Sequence, residues 1–193
     1  MNDLRTWEAW RETHQPFELQ WWKDNLDNYR DDAAFEEMWR EVRDFIQPKG
    51  LILDIGCGPR PPFKPCIVIE PLADEYQKIT PSEWWKGVTV YAQPAELLIE
   101  QLLKLRFDTV ICWNCIDHTI GWREILDSMV EYGDAGTRYG LATDFWEPFI
   151  GHPGFEREEF MAEVEKRFEI IDRREPLGRQ LALLMKIRAR EDI

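Results

Sequence analysis

Short apolar runs alternate with longer stretches of helical periodicity along most of the chain. The apolar runs have strand length and are bounded by glycine, proline or charged residues, whereas the longer stretches repeat apolar residues every three to four positions. This alternation is typical of an α/β fold with a mostly parallel sheet and helices on both faces, ending in a β-hairpin. The predicted strands are residues 51–55, 66–70, 88–91, 107–113, 138–145, 168–173 and 180–188. The predicted helices are residues 74–79, 94–105, 121–132 and 155–167.

The segment before the first strand is helical in pattern and rich in aromatic residues. Within it, one set of apolar residues follows the i, i+3, i+4, i+7 spacing of a single helix face, which predicts a helix packed on the sheet. Trp21 and Trp22 are adjacent and cannot both face one core, so we expect one of them to line or cover a pocket. We therefore predict an N-terminal helical cap at residues 1–32 and a main domain at residues 33–193. The apolar face comprises Phe35, Met38, Trp39, Val42, Phe45 and Ile46.

Acidic residues end the first two predicted strands. Asp54 closes the first strand and is followed by Gly56 and Gly58, and Glu70 closes the second. The carboxyl ends of parallel strands form one edge of the sheet, where open α/β folds bind nucleotide-type ligands. The glycines permit a tight turn that a ligand can approach closely. A carboxylate in the place of Glu70 can accept hydrogen bonds from both hydroxyls of a ribose.

The segment between these two strands carries prolines at positions 59, 61, 62 and 65. Prolines at this density cannot form an ordinary helix. Asp54 and Glu70 are also only 70 − 54 = 16 positions apart, which is short for a strand–helix–strand connection. We therefore expect a stiff loop in place of the usual first crossover helix.

Composition narrows the classes of partner. The chain has 24 basic and 37 acidic residues, a net charge of −13, and no basic cluster. Binding to nucleic acid or to an anionic membrane needs a basic surface, so neither partner is expected. No apolar run approaches the length of a membrane span, and the first residues lack the apolar core of a signal peptide. We expect a soluble, cytoplasmic protein.

The four cysteines lie in or beside predicted strands. Cys112 and Cys115 form a C-x-x-C pair, but a second ligand pair at suitable spacing is missing, so no metal site is expected. Free thiols in a reducing compartment are the simpler interpretation.

Taken in order, the motifs resemble those of class I S-adenosylmethionine-dependent methyltransferases of the small-molecule type, with a Leu-Asp-Ile-Gly-Cys-Gly signature. The resemblance covers roughly residues 33–190 and implies a seven-stranded sheet of order 3-2-1-4-5-7-6 with strand 7 antiparallel. It implies S-adenosyl-L-methionine as the cofactor. The residues that match its binding motifs are Asp54, Gly56, Cys57 and Gly58 for the methionine end, Glu70 and Pro71 for the ribose, Gln93, Pro94, Ala95 and Glu96 for the adenine side, and Trp113 and Asn114 beneath the transferable methyl.

The sequence departs from that family between the first two strands, where the third glycine of the turn is replaced by arginine and prolines. Without a crossover helix, a helix N-terminus cannot serve the carboxylate of the cofactor. We expect the backbone amides of the Gly56–Gly58 turn, or Arg60, to take that role.

Two histidines are predicted catalytic residues. His118 and His152 follow the fourth and fifth predicted strands, so both should lie over the carboxyl edge of the sheet. Either could act as a general base or bind the substrate. Asp117 and Asp144 are the reserve candidates.

The predicted function is methyl transfer to a small molecule, at oxygen or nitrogen. Two alternatives remain open at this point. A nicotinamide-dependent oxidoreductase shares the glycine turn and strand-end acid, although G-x-G-x-x-G is absent. A non-catalytic binding or regulatory protein could also retain this fold.

Overall fold

A single seven-stranded sheet organises the molecule. The computed structural model describes residues 4–147, 153–175 and 180–188, with side chains from residue 11 onward. The strand order is β3-β2-β1-β4-β5-β7-β6, and β7 runs antiparallel to both of its neighbours while the other pairs are parallel. This confirms the predicted fold class and strand order. The strands are β1 (Ile52–Ile55), β2 (Cys66–Ile69), β3 (Val88–Tyr91), β4 (Thr109–Trp113), β5 (Arg138–Asp144), β6 (Phe168–Arg174) and β7 (Gln180–Ile187).

Helices cover both faces of the sheet, as predicted, and most of their ends fall within two residues of the sequence pattern. Asp31 caps α2 by accepting hydrogen bonds from the amides of Ala33 and Ala34, which explains why the helix begins there. The helices are α1 (Leu4–Asn25), α2 (Asp32–Ile46), α3 (Ala73–Ile79), α4 (Trp122–Tyr132) and α5 (Arg157–Arg167). Short 3-10 helices occur at Leu26–Tyr29, Ser82–Trp85, Leu102–Lys104 and Ile116–His118. None of the described helices is both long and apolar enough to cross a membrane.

The core consists of two apolar layers, one on each face of the sheet. Leu53, Val110 and Leu141 point to the face covered by α4 and α5. Residues one position away, such as Ile52 and Ala142, point to the face covered by α2 and α3. Strands buried on both faces explain the continuous apolar runs in the sequence.

The predicted helix at residues 94–105 is wrong. This segment consists of turns and the short 3-10 helix. The amide of Ile99 donates to the hydroxyl of Tyr132 at 2.8 Å, so it is not available to an α-helical carbonyl. The helical pattern did identify the buried side, since Ala95, Ile99 and Leu102 are all buried. Tertiary contacts with α4 therefore outweighed the local helical preference.

The proline-rich segment between β1 and β2 has no α-helix, which confirms the expected loss of the first crossover helix. Arg60 within it is 8% exposed, and its guanidinium donates to the carbonyl of Tyr29 and to Asp32. The same guanidinium stacks on the rings of Phe35 and Trp84, at 3.9 and 4.6 Å from their centroids. Arg60 therefore fastens the loop to the N-terminal helices.

Candidate functional site

A cavity of about 650 Å³ opens at the carboxyl ends of the parallel strands. Its floor is formed by the ends of β1, β2 and β4 and the turns that follow them. Side chains from α1, from the 3-10 helix Leu26–Tyr29 and from α2 form its roof. This is the edge at which open α/β sheets bind their ligands.

The turn after β1 brings the backbone to the floor of the cavity. Gly56 and Gly58 have φ of +69° and +65°, in the left-handed region that favours glycine. A Cβ on Gly56 would lie 2.4 Å from the Sγ of Cys115, so the segment after β4 leaves no room for a side chain there. Cys57 lies between the two glycines and also lines the cavity. The turn thus brings the main chain to the floor, where the amide of Gly56 donates to the carbonyl of Ile69 at 2.9 Å.

Asp54 is 2% exposed and reaches the cavity from the end of β1. Its Oδ2 has no hydrogen-bond partner among the described residues. Burial, followed by the nearby Glu70 carboxyl, raises the pKa of Asp54 to about 8. A buried carboxyl with an unused oxygen is suited to receive a cation or a hydrogen-bond donor from a ligand.

Glu70 lies directly after β2 and is held in place by main-chain donors. The amide of Gly58 donates to its Oε2 at 3.1 Å, and the amide of Leu72 donates to its Oε1 at 3.0 Å. Burial raises the pKa of Glu70 to about 7, although these two bonds oppose the rise. A carboxylate oxygen has two lone pairs, so each one can still accept a bond from a ligand hydroxyl.

The remaining predicted cofactor residues come from the segments after β2, β3 and β4. Asn114 adopts φ of +56° at the end of β4, an unusual backbone conformation that asparagine tolerates better than most residues. Two members of the predicted adenine segment, Gln93 and Pro94, are not among the described residues that line the cavity. Those that do line it are Pro71, Ala95, Glu96, Trp113 and Asn114.

His118 lines the cavity and faces the roof. Its Nδ1 lies 3.3 Å from Oε2 of Glu18 on α1, and its Nε2 lies 3.9 Å from Asp117. Burial alone would lower the pKa of His118, but the pair with Glu18 and the charges of Asp117 and Glu70 raise it to about 9. At neutral pH this histidine is therefore protonated and is poorly suited to act as a general base. The predicted catalytic role of His118 stays a prediction.

The second predicted catalytic histidine, His152, lies outside the described residues. The expected role of Arg60 toward a cofactor carboxylate is wrong in this structure, because its guanidinium is held by Tyr29 and Asp32 and it does not line the cavity. Within the Gly56–Gly58 turn, the amides of Gly56 and Gly58 already donate to the carbonyl of Ile69 and to Glu70, so the amide of Cys57 is the candidate for that role.

Sequence reasoning missed most of the roof. Trp22 is the member of the tryptophan pair that lines the cavity, and a Cβ on Gly58 would lie 3.5 Å from its ring. From α2, Trp39, Val42 and Phe45 also line the cavity. The signal for these three was the apolar stripe of α2, which predicted core packing and does not distinguish a core face from a pocket wall.

The comparisons with known proteins concern the fold. Neither a protein-family model nor a curated protein sequence matches this chain. Among solved structures, the chain is similar to the 1,6-didemethyltoxoflavin N1-methyltransferase of Burkholderia thailandensis, with bound 1,6-didemethyltoxoflavin and S-adenosylhomocysteine. The TM-score is 0.65 at 14% identity, and the alignment covers 97% of this chain and 91% of that one.

Two further structures show the same likeness. One is a TehB-like S-adenosylmethionine-dependent methyltransferase of Corynebacterium glutamicum, with a TM-score of 0.61, 14% identity and 91% and 98% of the two chains covered. The other is the N-methyltransferase NodS of Bradyrhizobium japonicum in complex with S-adenosylhomocysteine, with a TM-score of 0.57, 14% identity and 82% and 89% covered. Together with the strand order, these likenesses give the chain the fold of the class I S-adenosylmethionine-dependent methyltransferases.

Proposed function

We propose that the protein is a methyltransferase that uses S-adenosyl-L-methionine to methylate a small molecule at nitrogen or oxygen. The observation that carries the proposal is the pair of buried carboxyls, Asp54 and Glu70, on one cavity floor. S-adenosylmethionine offers an ammonium group and two ribose hydroxyls to such a pair. Without the cofactor, the pKa values of both carboxyls are raised, because burial disfavours their charged form.

The residues present suit the cofactor in kind and in position. Asp54 would receive the α-ammonium on its unpartnered oxygen, and Glu70 would accept the ribose hydroxyls. The amide of Cys57, between the two engaged glycine amides, would meet the α-carboxylate, and Ala95 and Glu96 would flank the adenine.

Bound S-adenosylmethionine supplies an activated methyl group on a sulfonium sulfur. The task of the chain is to align the acceptor with that methyl group and to exclude water. The aromatic side chains of the roof, Trp22, Tyr29 and Trp39, provide an apolar cover for this purpose.

Other evidence supports the same class. Two of the three similar structures are named N-methyltransferases, one of them crystallised with its small-molecule substrate, and two contain S-adenosylhomocysteine. The acidic chain is poorly suited to a nucleic-acid acceptor. We also propose a cytoplasmic location, since all four cysteines are free thiols. The absence of G-x-G-x-x-G speaks against nicotinamide chemistry.

Isothermal titration calorimetry of the purified protein tests the proposal. We expect S-adenosylmethionine and S-adenosylhomocysteine to bind with one site each, and NAD⁺ at the same concentrations to give no heat. Absence of binding by both sulfur ligands would contradict the proposal. Binding without methyl transfer to any acceptor, measured as S-adenosylhomocysteine formation, would favour the non-catalytic alternative.

A further inference from the structure

One arginine lines the cavity at the end that lies away from the cofactor carboxyls. Arg174 ends β6, and it is the only arginine or lysine among the described residues that line the cavity. In the sheet, β6 is four strand spacings from β1, which is about 19 Å. The side chain of Arg174 therefore does not reach the turn after β1, where the carboxylate of the cofactor would bind.

The register of β6 places Arg174 on the cavity side of the sheet. Arg174 is opposite Ala182 of β7, and residues directly opposite each other share a face. Ala182 belongs to the apolar layer covered by α2 and also lines the cavity. The preceding residue, Arg173, is opposite Leu183, which belongs to the apolar layer on the other face. Of these two adjacent arginines, only Arg174 thus faces the cavity.

An aromatic ring fixes the position of the guanidinium. Cζ of Arg174 lies 4.5 Å from the ring centroid of Phe45, a buried side chain of α2 that also lines the cavity. Phe45 in turn makes an edge-to-face contact with Trp113, with their ring centroids 6.1 Å apart. Because both distances end at the Phe45 ring, the guanidinium is within about 11 Å of the Trp113 ring. A small molecule can span that distance.

The guanidinium of Arg174 retains its donors for a ligand. No described residue accepts a hydrogen bond from it, and its ion pair with Asp172 is long, with Nε 3.7 Å from Oδ2. By contrast, Nε of Arg173 donates to Glu175 at 3.0 Å. The chain has 37 acidic residues against 24 basic ones, so a shortage of acidic partners does not explain the difference. Arg174 is thus a positioned cation with unused donors.

The other charged side chains that line this end of the cavity are acidic. Glu41 lies one turn before Phe45 on α2, and Asp144 ends β5. An anionic group of a ligand is therefore attracted at the guanidinium and repelled elsewhere, which fixes the orientation of the ligand. One guanidinium balances one negative charge, and its planar fork matches the two oxygens of a carboxylate. A carboxylate therefore suits this end better than a phosphate dianion.

Resting on the proposed function, we propose that the methyl acceptor is a small carboxylic acid whose carboxylate binds to Arg174. Two N–H groups of the guanidinium donate to the carboxylate oxygens, while the Phe45 ring holds the guanidinium in place. The rest of the acceptor extends towards Trp113, which brings the atom to be methylated to the cofactor. Arg174 contributes to binding and does not take part in the methyl transfer, so its loss should raise KM for the acceptor and leave kcat nearly unchanged.

Matched acids and amides test the carboxylate. The protein saturated with S-adenosylhomocysteine is titrated with benzoate, phenylacetate and 3-phenylpropanoate, and with their primary amides, while binding is followed by ligand-observed NMR. We expect at least one acid to bind about fivefold or more tightly than its own amide, and phenyl phosphate to bind more weakly than that acid. Equal or weaker binding of all three acids relative to their amides, or tighter binding of phenyl phosphate, would overturn the proposal.

Variants of the two adjacent arginines locate the effect. Arg174→Gln should abolish the preference for the acid and leave the Kd for S-adenosylmethionine unchanged, whereas Arg174→Lys should retain part of the preference, since it keeps the charge without the fork. Arg173→Gln is the matched control on the same strand and the opposite face, and it should retain the full preference. Urea denaturation confirms that all three variants fold. A full preference for the acid in Arg174→Gln would contradict the proposal.

Failure of this inference and failure of the proposed function have different signatures. If S-adenosylhomocysteine binds and the acids bind no better than their amides, the carboxylate inference is wrong and the methyltransferase stands. If the wild-type protein binds neither S-adenosylmethionine nor S-adenosylhomocysteine, the proposed function fails and this inference fails with it.

Discussion

The floor and the roof of the cavity are built in different ways. On the floor, the contacts are short and largely main-chain, such as the bonds from the Gly58 and Leu72 amides to Glu70. The roof reaches the sheet through side chains, with Glu18 on His118 and Arg60 on Tyr29 and Asp32. Main-chain geometry fixes the floor, whereas a few side-chain contacts hold the roof in place. The floor should therefore determine whether the cofactor binds, and the roof how well the site closes.

The largest expected effect on cofactor affinity comes from a substitution on the floor. Asp54→Asn preserves the shape of the side chain but removes the charge that would pair with the ammonium of the cofactor. Loss of a charge-assisted hydrogen bond costs about 1.5–3 kcal/mol, so we expect the Kd for S-adenosylmethionine to rise roughly 10- to 100-fold. Calorimetric titration measures this.

The free energy of unfolding of Asp54→Asn should rise or stay unchanged, because the substitution also removes a buried, disfavoured charge. The exposed Asp74 on α3 supplies the control variant Asp74→Asn, which should behave as wild type. An unchanged Kd for Asp54→Asn would show that the ammonium binds elsewhere.

A smaller effect on cofactor affinity is expected at Arg60, which connects the loop after β1 to the N-terminal helices. Arg60→Met removes a buried guanidinium that is hydrogen-bonded to Tyr29 and Asp32 and stacked between Phe35 and Trp84. From the ordinary value of such bonds, we expect a loss of about 2 kcal/mol in the free energy of unfolding. Urea denaturation measures it.

The Kd for S-adenosylmethionine should rise less in Arg60→Met than in Asp54→Asn, since the floor remains intact. Arg40→Met, on the exposed side of α2, is the control and should lose little stability. A larger effect on cofactor affinity for Arg60→Met than for Asp54→Asn would contradict the division between floor and roof.

The same division explains what the sequence could predict. Asp54 and Glu70 follow continuous apolar runs, and a strand-end acid beside glycines is a local pattern, so the sequence could place both carboxyls at this edge of the sheet, while their roles toward the cofactor stay predictions. The strand order followed from the resemblance that these motifs carry. Local pattern was sufficient here because the main chain itself forms the site.

The roof depends on contacts between residues far apart in sequence. Glu18 meets His118, 100 positions later, and no local pattern marks such a pair. Phe45 and Val42 belong to the same apolar stripe as the buried Ile46, and only the packed structure tells pocket wall from core. The failed helix at residues 94–105 has the same origin, because the hydroxyl of Tyr132 takes an amide that the local pattern assigned to a helix.

The smallest expected effect lies in the pH dependence of cofactor binding, where floor and roof act in opposite directions. In the empty protein the pKa values of Asp54 and Glu70 are about 8 and about 7. A bound cation favours the ionised carboxyls, so affinity should rise as the pH increases from 6 to 8. The pKa of His118 is about 9, so its pair with Glu18 is present below that pH and is lost above it. Affinity should therefore fall again above pH 9.

Glu18→Gln separates the two limbs of this profile. Without the carboxylate of Glu18, burial lowers the pKa of His118, so the falling limb should keep only the part that comes from deprotonation of the cofactor's own α-ammonium, while the rise from pH 6 remains. Because half-buried pairs contribute modestly, about 0.5–1 kcal/mol, the affinity at pH 8 should drop only about two- to fivefold. Glu12→Gln, an exposed position on the same helix, should leave both limbs in place. A falling limb in Glu18→Gln as steep as in the wild type would mean that the α-ammonium of the cofactor, and not His118, produces it, whereas loss of the rising limb would mean that Glu18, and not the floor, sets the affinity.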